Sequence, residues 1–245
     1  MIKYYKLLEG VIMNKYKEGI KDGFPIGLGY LSVSFTFGIM AISVGLSWWQ
    51  ALLISMLTLT SAGQLAALNI MTDPGRYFEM IVSQTTINVR YSFMSISLSQ
   101  KVDSKFRNIW KWLLGFFITD EIFAVAITKK DVSRAYFVGL STLPYIGWAL
   151  GTLLGALIGN IMPDVITKCL CLAIYGMFIA IVAPVAKNNK SVLIAAVIAI
   201  LFSVIFFYIP FIKEVPSGIA ISISAVMGAL VCSILFPVKE DNSYE

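Results

Sequence analysis

Long apolar runs recur along this chain at about 23–44, 49–71, 77–98, 109–128, 135–161, 165–185, 191–212 and 217–236. Each is close to the roughly 20 residues that a helix needs to cross hydrocarbon. The pattern therefore predicts an all-α integral membrane protein, a multi-pass bundle of about eight transmembrane helices. Pro74-Gly75, Lys129-Lys130-Asp131, Lys187-Asn188-Asn189-Lys190 and Pro216-Ser217-Gly218 mark connections by turn chemistry or charge. In the opening stretch, residues 1–22, Lys3, Lys6, Lys17 and Lys21 fall near one helical face, and Leu8, Ile12 and Tyr16 on another. This reads as a basic amphipathic helix on the cytoplasmic surface, retained rather than cleaved. Residues 23–236 then form one transmembrane domain and 237–245 a short polar tail.

Composition agrees with the pattern, since 58% of the residues are hydrophobic and 13% charged, against about 45–50% and 25% in ordinary soluble domains. A separate soluble domain has no room. The formal charge is +5, and its basic residues lie in the N-terminal segment and the loops, where anionic lipid and the positive-inside bias account for them without nucleic acid. With both termini cytoplasmic, eight crossings place twelve Lys and Arg inside and six outside. The outside set includes Lys101, Lys105, Arg107 and Lys111, an exception to that bias which a re-entrant or broken run would remove. Seven full crossings is the alternative.

The chain contains no histidine, so the usual base of a nucleophile pair and the usual zinc ligand are missing. Cys169, Cys171 and Cys232 lie within or beside apolar runs and read as small buried hydrophobes, not a disulfide framework. We expect no metal, no cofactor and no enzyme activity.

Several features carry candidate chemistry. Gly23, Pro25, Gly27 and Gly29 crowd the first run. They either open the helix to offer backbone groups to a solute or permit close helix packing. In the fifth run, Pro144 precedes Gly147, Gly151, Gly155 and Gly159 on one stripe, a packing surface. Gln64 in the second run brings amide groups that hydrocarbon does not satisfy. Gln84, Asn88, Tyr91 and Ser95 follow at helical spacing in the third, a polar stripe suited to lining a solute path. Asp120 and Glu121 lie in the fourth run, and Arg90 is the basic residue well inside a span. A charge at bilayer centre costs of order 2.5–3.5 kcal/mol on insertion scales, so a charge pair or proton switch among these three is expected.

Asp22-Gly23-Phe24-Pro25-Ile26, Ser61-Ala62-Gly63-Gln64, Asn88-Val89-Arg90-Tyr91, Gly115-Phe116-Phe117-Ile118-Thr119-Asp120-Glu121 and Trp148-Ala149-Leu150-Gly151-Thr152 resemble the AzlC family of branched-chain amino acid exporters. The resemblance runs from about Gly19 to Phe236. It implies a cell-membrane permease that expels small hydrophobic amino acids such as valine, leucine or isoleucine, working with a small AzlD-type membrane partner. The chain departs from the family in reading Ser61-Ala62-Gly63-Gln64 for the usual Gly-Ala-Ser-Gln, and Arg90-Tyr91 for a frequent Arg-His. The expected function is proton-coupled export by alternating access. Backbone from Gly23 to Gly29 and Gln64 would meet the solute's main-chain groups, with Asn88 and Tyr91 in the path wall. A transporter of another small solute, or a helper subunit that moves nothing, is the alternative.

Overall fold

The computed structural model describes residues 2–73, 75–103, 109–161, 182–209 and 215–236, with the isolated positions 165, 169, 176 and 179; side chains of 2–9 and of Asn160 are not among them. Most of the run at 165–185, the loop bases Lys105 and Arg107, Cys171 and the 237–245 tail therefore lie outside the described residues. Those described are overwhelmingly helical: α1 (Ile2–Ser43), α2 (Trp48–Thr58), α3 (Ser61–Met71), α4 (Tyr77–Ser99), α5 (Ile109–Gly115), α6 (Asp120–Ile127), α7 (Arg134–Ile158), α8 (182–188), α9 (Lys190–Tyr208) and α10 (Ser217–Leu235). A 3-10 turn, Gly159–Ile161, follows α7. Among the described residues, Gly10–Ser43, Arg134–Ile158, Lys190–Tyr208 and Ser217–Leu235 are long and apolar enough to cross a membrane. Cys169 and Cys232 are free thiols.

The chain forms two compact units, one of residues 1–68 and 88–171, the other of 69–87 and 172–245. The spine of the first is the pair α1 and α7, packed in parallel. A Cβ at Gly19, Gly23, Gly27 or Gly38 of α1 would collide with α7 backbone, and one at Gly139, Gly147 or Gly155 of α7 with α1 backbone. Backbone-to-backbone approach of this kind is what small residues permit in membranes. Between the two readings of the first run, packing is thus the one met for Gly23 and Gly27. The expected opening of that helix does not occur: α1 is continuous through Pro25 and α7 through Pro144. Pro144 supplies no amide to the Leu140 carbonyl, and that carbonyl lies against Gly23, where a Cβ would displace it.

The breaks fall elsewhere, in runs that lack proline. The second run stops at Leu59-Thr60 and the fourth at residues 116–119. Leu59 ends α2 in the left-handed region, φ 43 and ψ 41, which an ordinary side chain rarely adopts. Thr58 turns its hydroxyl back onto the Ile54 carbonyl at 2.6 Å, a local bond that competes with helix continuation. In the fourth run Phe117 and Ile118 close short turns onto Leu114 and Gly115. Thr119 then starts α6 as an extended N-cap whose hydroxyl accepts from the Ile122 amide at 3.3 Å. Asp120 and Glu121 occupy the first turn, where the helix dipole favours acids.

Each broken run folds back on itself as a helical hairpin. In the first hairpin, Gln64 and Ser55, four or five residues either side of the break, are bonded at 2.9 Å, and Leu68 and Ala51 share a core cluster. A straight helix would hold residues nine apart about 13.5 Å from each other. The second hairpin leaves and returns to one place. Lys101 donates to the Ile127 carbonyl at 2.7 Å, Val102 and Val132 form an isolated bridge, and Arg134 stacks on Trp110 at 4.6 Å.

Some of the expected eight or seven helices are thus broken, as anticipated, but in the second and fourth runs and without proline. The folded-back fourth run also removes the charge exception. Lys101 and Lys111 now lie at the same end as Lys129, Lys130 and Arg134, whereas residues 44–68 and 150–161, at the other end, hold no Lys or Arg at all. At the basic end Lys129 joins Glu18 (3.0 Å) and Asp22 (2.9 Å) of α1, and the Tyr136 hydroxyl donates to Asp22 at 2.8 Å. Hydrogen bonds to Asp22 and Glu18 hold the Lys129 pKa above the ordinary lysine value. From Asp22 to Ser43, α1 rises roughly 30 Å, the thickness of a hydrocarbon core. Trp48 and Trp49 open the first hairpin, and Trp110 and Trp112 the second. All four are exposed, as aromatic residues at membrane interfaces are.

In the second unit, Gly218 at the start of α10 donates its amide to the buried Glu79 carboxylate at 2.8 Å, which also pairs with Arg76. Gly228 of α10 sits against Ala195 and Ala199 of α9. No α9 side chain is buried, as befits a helix bathed in lipid.

Candidate functional site

The tips of the two hairpins enter from opposite ends of the first unit and meet among α1, α4 and α7. Leu59 of the first tip lies in one buried cluster with Tyr30 of α1 and Trp148 of α7, and Phe117 of the second tip packs on the same cluster beside Tyr145. Tyr145 also donates to the Met56 carbonyl at 3.2 Å, holding the first hairpin to α7 near its tip.

Beside this aromatic cluster runs a polar chain. Arg90 of α4 pairs with Asp120 at the head of α6, Nη1 to Oδ2 at 2.8 Å. Its Nη2 donates to the Tyr91 hydroxyl at 3.2 Å, Tyr91 to Thr60 at 3.3 Å, and Thr60 to the Asn88 Oδ1 at 2.9 Å. The Arg90 Nε is buried and makes no hydrogen bond. On the other side of α6, the Tyr30 hydroxyl lies 2.5 Å from Glu121 Oε2 and 2.6 Å from Thr119 Oγ1. Asn88, Arg90, Tyr91, Asp120 and Glu121, five of the expected site residues, thus converge on the hairpin tips.

The remaining expected residues are placed differently. Gln64 is 2% exposed and its amide is spent on protein, accepting from Trp148 Nε1 at 3.1 Å and donating to Ser55. Ser55 in turn bonds Thr152 at 2.6 Å. The group ties the first hairpin to α7 and is turned away from any open path. Gly23 and Gly27 face α7, Pro25 and Gly29 lie on the exposed side of α1, and Gln84 belongs to the second unit. Two cavities flank the second hairpin. One of about 580 Å³ opens near the basic end between Ser95, Trp112, Ile118 and Phe137. The other, about 280 Å³, is bounded by Phe117, Ser141, Thr142 and Tyr145. Neither of these two is lined by Gln64, Asn88, Arg90 or Asp120; Gln64 bonds Trp148 and Ser55, while Asn88, Arg90 and Asp120 share the polar chain at the tips.

Tyr30, Thr60, Thr119 and Trp148 were not expected at the site. A threonine directly before two acids is a helix-start signal, so Thr119 was open to detection; Tyr30 and Trp148 resemble any other apolar-run aromatic until the fold brings them together.

A family model described as AzlC protein matches residues 25–162, the stretch that carries α1 beyond its basic end, both hairpins and α7. An uncharacterized membrane protein of Archaeoglobus fulgidus is 30% identical over 176 residues, covering 71% of this chain and 77% of the relative. One of Helicobacter pylori is 28% identical, covering 60% and 68%. The inner membrane protein YgaZ of Escherichia coli is 25% identical over 150 residues, covering 59% and 61%. No solved structure matches. The chain belongs to the AzlC family of membrane transport proteins.

Proposed function

We propose that this chain exports small hydrophobic amino acids of the valine, leucine and isoleucine class, coupled to protons, through the meeting point of its two hairpin tips. The observation that carries the reading is the juxtaposition at mid-depth of a guanidinium, two carboxylates and an aromatic cluster: Arg90, Asp120 and Glu121 beside Tyr30, Leu59, Phe117, Tyr145 and Trp148. An amino acid zwitterion with an apolar side chain needs one cation, one anion and one apolar wall. Arg90 retains an unused Nε donor for a carboxylate, and Asp120 is the natural acceptor for an ammonium. Breaks in the middle of both hairpins supply the discontinuous helices that transporters place at such sites.

Family membership supports both export and a small AzlD-type partner in the cell membrane. The concentration of bases at one end supports a cytoplasmic location for that end and for the N-terminus that leads into it. Radiolabelled leucine efflux from cells, with and without a co-expressed small partner, tests the reading. Concentration-dependent efflux is expected in at least one condition, and its absence in both overturns the substrate.

A further inference from the structure

The two adjacent carboxylates at the head of α6 stand in unlike surroundings. Asp120 holds a guanidinium at 2.8 Å, a partner that donates only and so suits only the ionised acid. Glu121 meets a hydroxyl, Tyr30 Oη, which itself touches a second hydroxyl, Thr119 Oγ1. Hydroxyls both donate and accept, and that decides what each acid is able to do.

We propose that Glu121 is the proton-carrying group of this transporter, while Asp120 stays ionised as the counterion of Arg90. The inference rests on the transport reading above and deepens it. With Glu121 ionised, Tyr30 donates to Oε2 and Thr119 donates to Tyr30. When a proton from water adds to Glu121, the new carboxylic acid O–H donates to Tyr30, and Tyr30 turns its own hydrogen to Thr119. Thr119 Oγ1 has room for it, being an acceptor already for the Ile122 amide at the longer distance of 3.3 Å. The two states thus interconvert by rotating two hydroxyls with no heavy atom displaced, the Thr119 hydrogen turning away from Tyr30 in the protonated state, and Tyr30 begins and ends with one proton. Asp120 has no such freedom, because its partner only donates and protonation would leave the guanidinium without its counter-charge.

Around the head of α6, Tyr30 of α1 bonds Glu121 directly, Asp120 is its neighbour on the same helix, and Arg90 and Tyr91 of α4 lie on the Asp120 side; Tyr145 of α7 is in the aromatic cluster, and Lys111 of α5 lines the cavity at the basic end. The near neighbours are therefore one cation, already engaged, one anion and two phenols. Tyr30 is itself buried, at 6% exposure, so the pair of hydroxyls that reorients around Glu121 is sheltered.

The test combines a spectroscopic readout with a flux readout on the full chain in liposomes, with the partner present if the efflux experiment requires it. Infrared difference spectra taken across acid and neutral pH are expected to show a carboxylic acid carbonyl band that is lost in Glu121→Gln and kept in Asp120→Asn. The acceleration of leucine flux by an imposed pH gradient, present in the unaltered protein, is expected to vanish in Glu121→Gln. A band that persists in Glu121→Gln, or none in the unaltered protein, overturns the assignment. If the unaltered protein shows the band and its loss in Glu121→Gln but moves no leucine, the substrate reading fails and the proton assignment stands.

Discussion

The seam between α1 and α7 and the meeting of the hairpin tips lie side by side in one unit and are built on opposite rules. The seam has two prolines and the densest run of glycines in the chain, yet its helices are unbroken and their backbones touch. The tips have no proline, but both helices stop there, one of them on a left-handed leucine. Small residues stiffen the seam because each absent Cβ is replaced by a neighbouring backbone. At the tips the chain is held by side chains instead: Tyr145 fixes the Met56 carbonyl and Thr119 caps the helix that restarts. Structural support and the candidate site are thus neighbours in one unit.

Breaking the seam carries the largest expected effect. Gly155→Val drives a side chain into the backbone at Phe35, and overpacking of this kind costs about 1–3 kcal/mol or more; little folded protein should survive detergent extraction, measured by size-exclusion yield. At the tips, Asp120→Asn leaves Arg90 without its counter-charge. Leucine flux should fall to background, and Arg90→Gln added to Asp120→Asn should regain melting temperature without regaining flux, since pairing restores stability and not recognition.

Between the two regions lies the Gln64 bridge. Trp148→Phe removes the donor to Gln64 Oε1 and leaves a buried acceptor unpaired, a loss of about 1–3 kcal/mol, seen as a lower melting temperature at unchanged topology. The smallest effect is at the basic end. Lys129 is held protonated by Asp22 and Glu18, so its stabilising contribution is complete below the unfolded lysine pKa of about 10.4 and is lost as pH rises beyond it. Lys129→Met should flatten that alkaline decline in a thermal melt and change little near neutrality.

Re-entrancy is open to direct measurement as well. Single cysteines at Lys101 and Lys130, in a background without the native thiols, should both react with a membrane-impermeant maleimide from the same side. Labelling from opposite sides would restore a full crossing for the fourth run.

Much of the candidate site was legible in the residues. Arg90, Asp120 and Glu121 are ionisable groups in runs that lipid would otherwise surround, and the pairing of Arg90 with an acid of the fourth run follows from that cost alone. Gln64 was legible as a residue in need of partners, but its partners, Ser55 and Trp148, lie in separate elements, and a single buried amide looks the same whether protein or solute satisfies it. The glycines of the first run were ambiguous for a similar reason: a missing side chain serves an open backbone and a packed one equally well.

By itself the sequence determined the solvent, the helical class and the depth at which charge is placed, because each follows from the energy of one residue type in hydrocarbon and needs no partner. Tertiary structure decided which helices break and which faces meet. A run of twenty apolar residues has the same hydropathy whether it crosses or turns back at its middle. The choice rests on contacts such as Lys101 with the Ile127 carbonyl and Tyr30 with Thr119, made between residues 26 and 89 positions apart and visible only once the chain has folded.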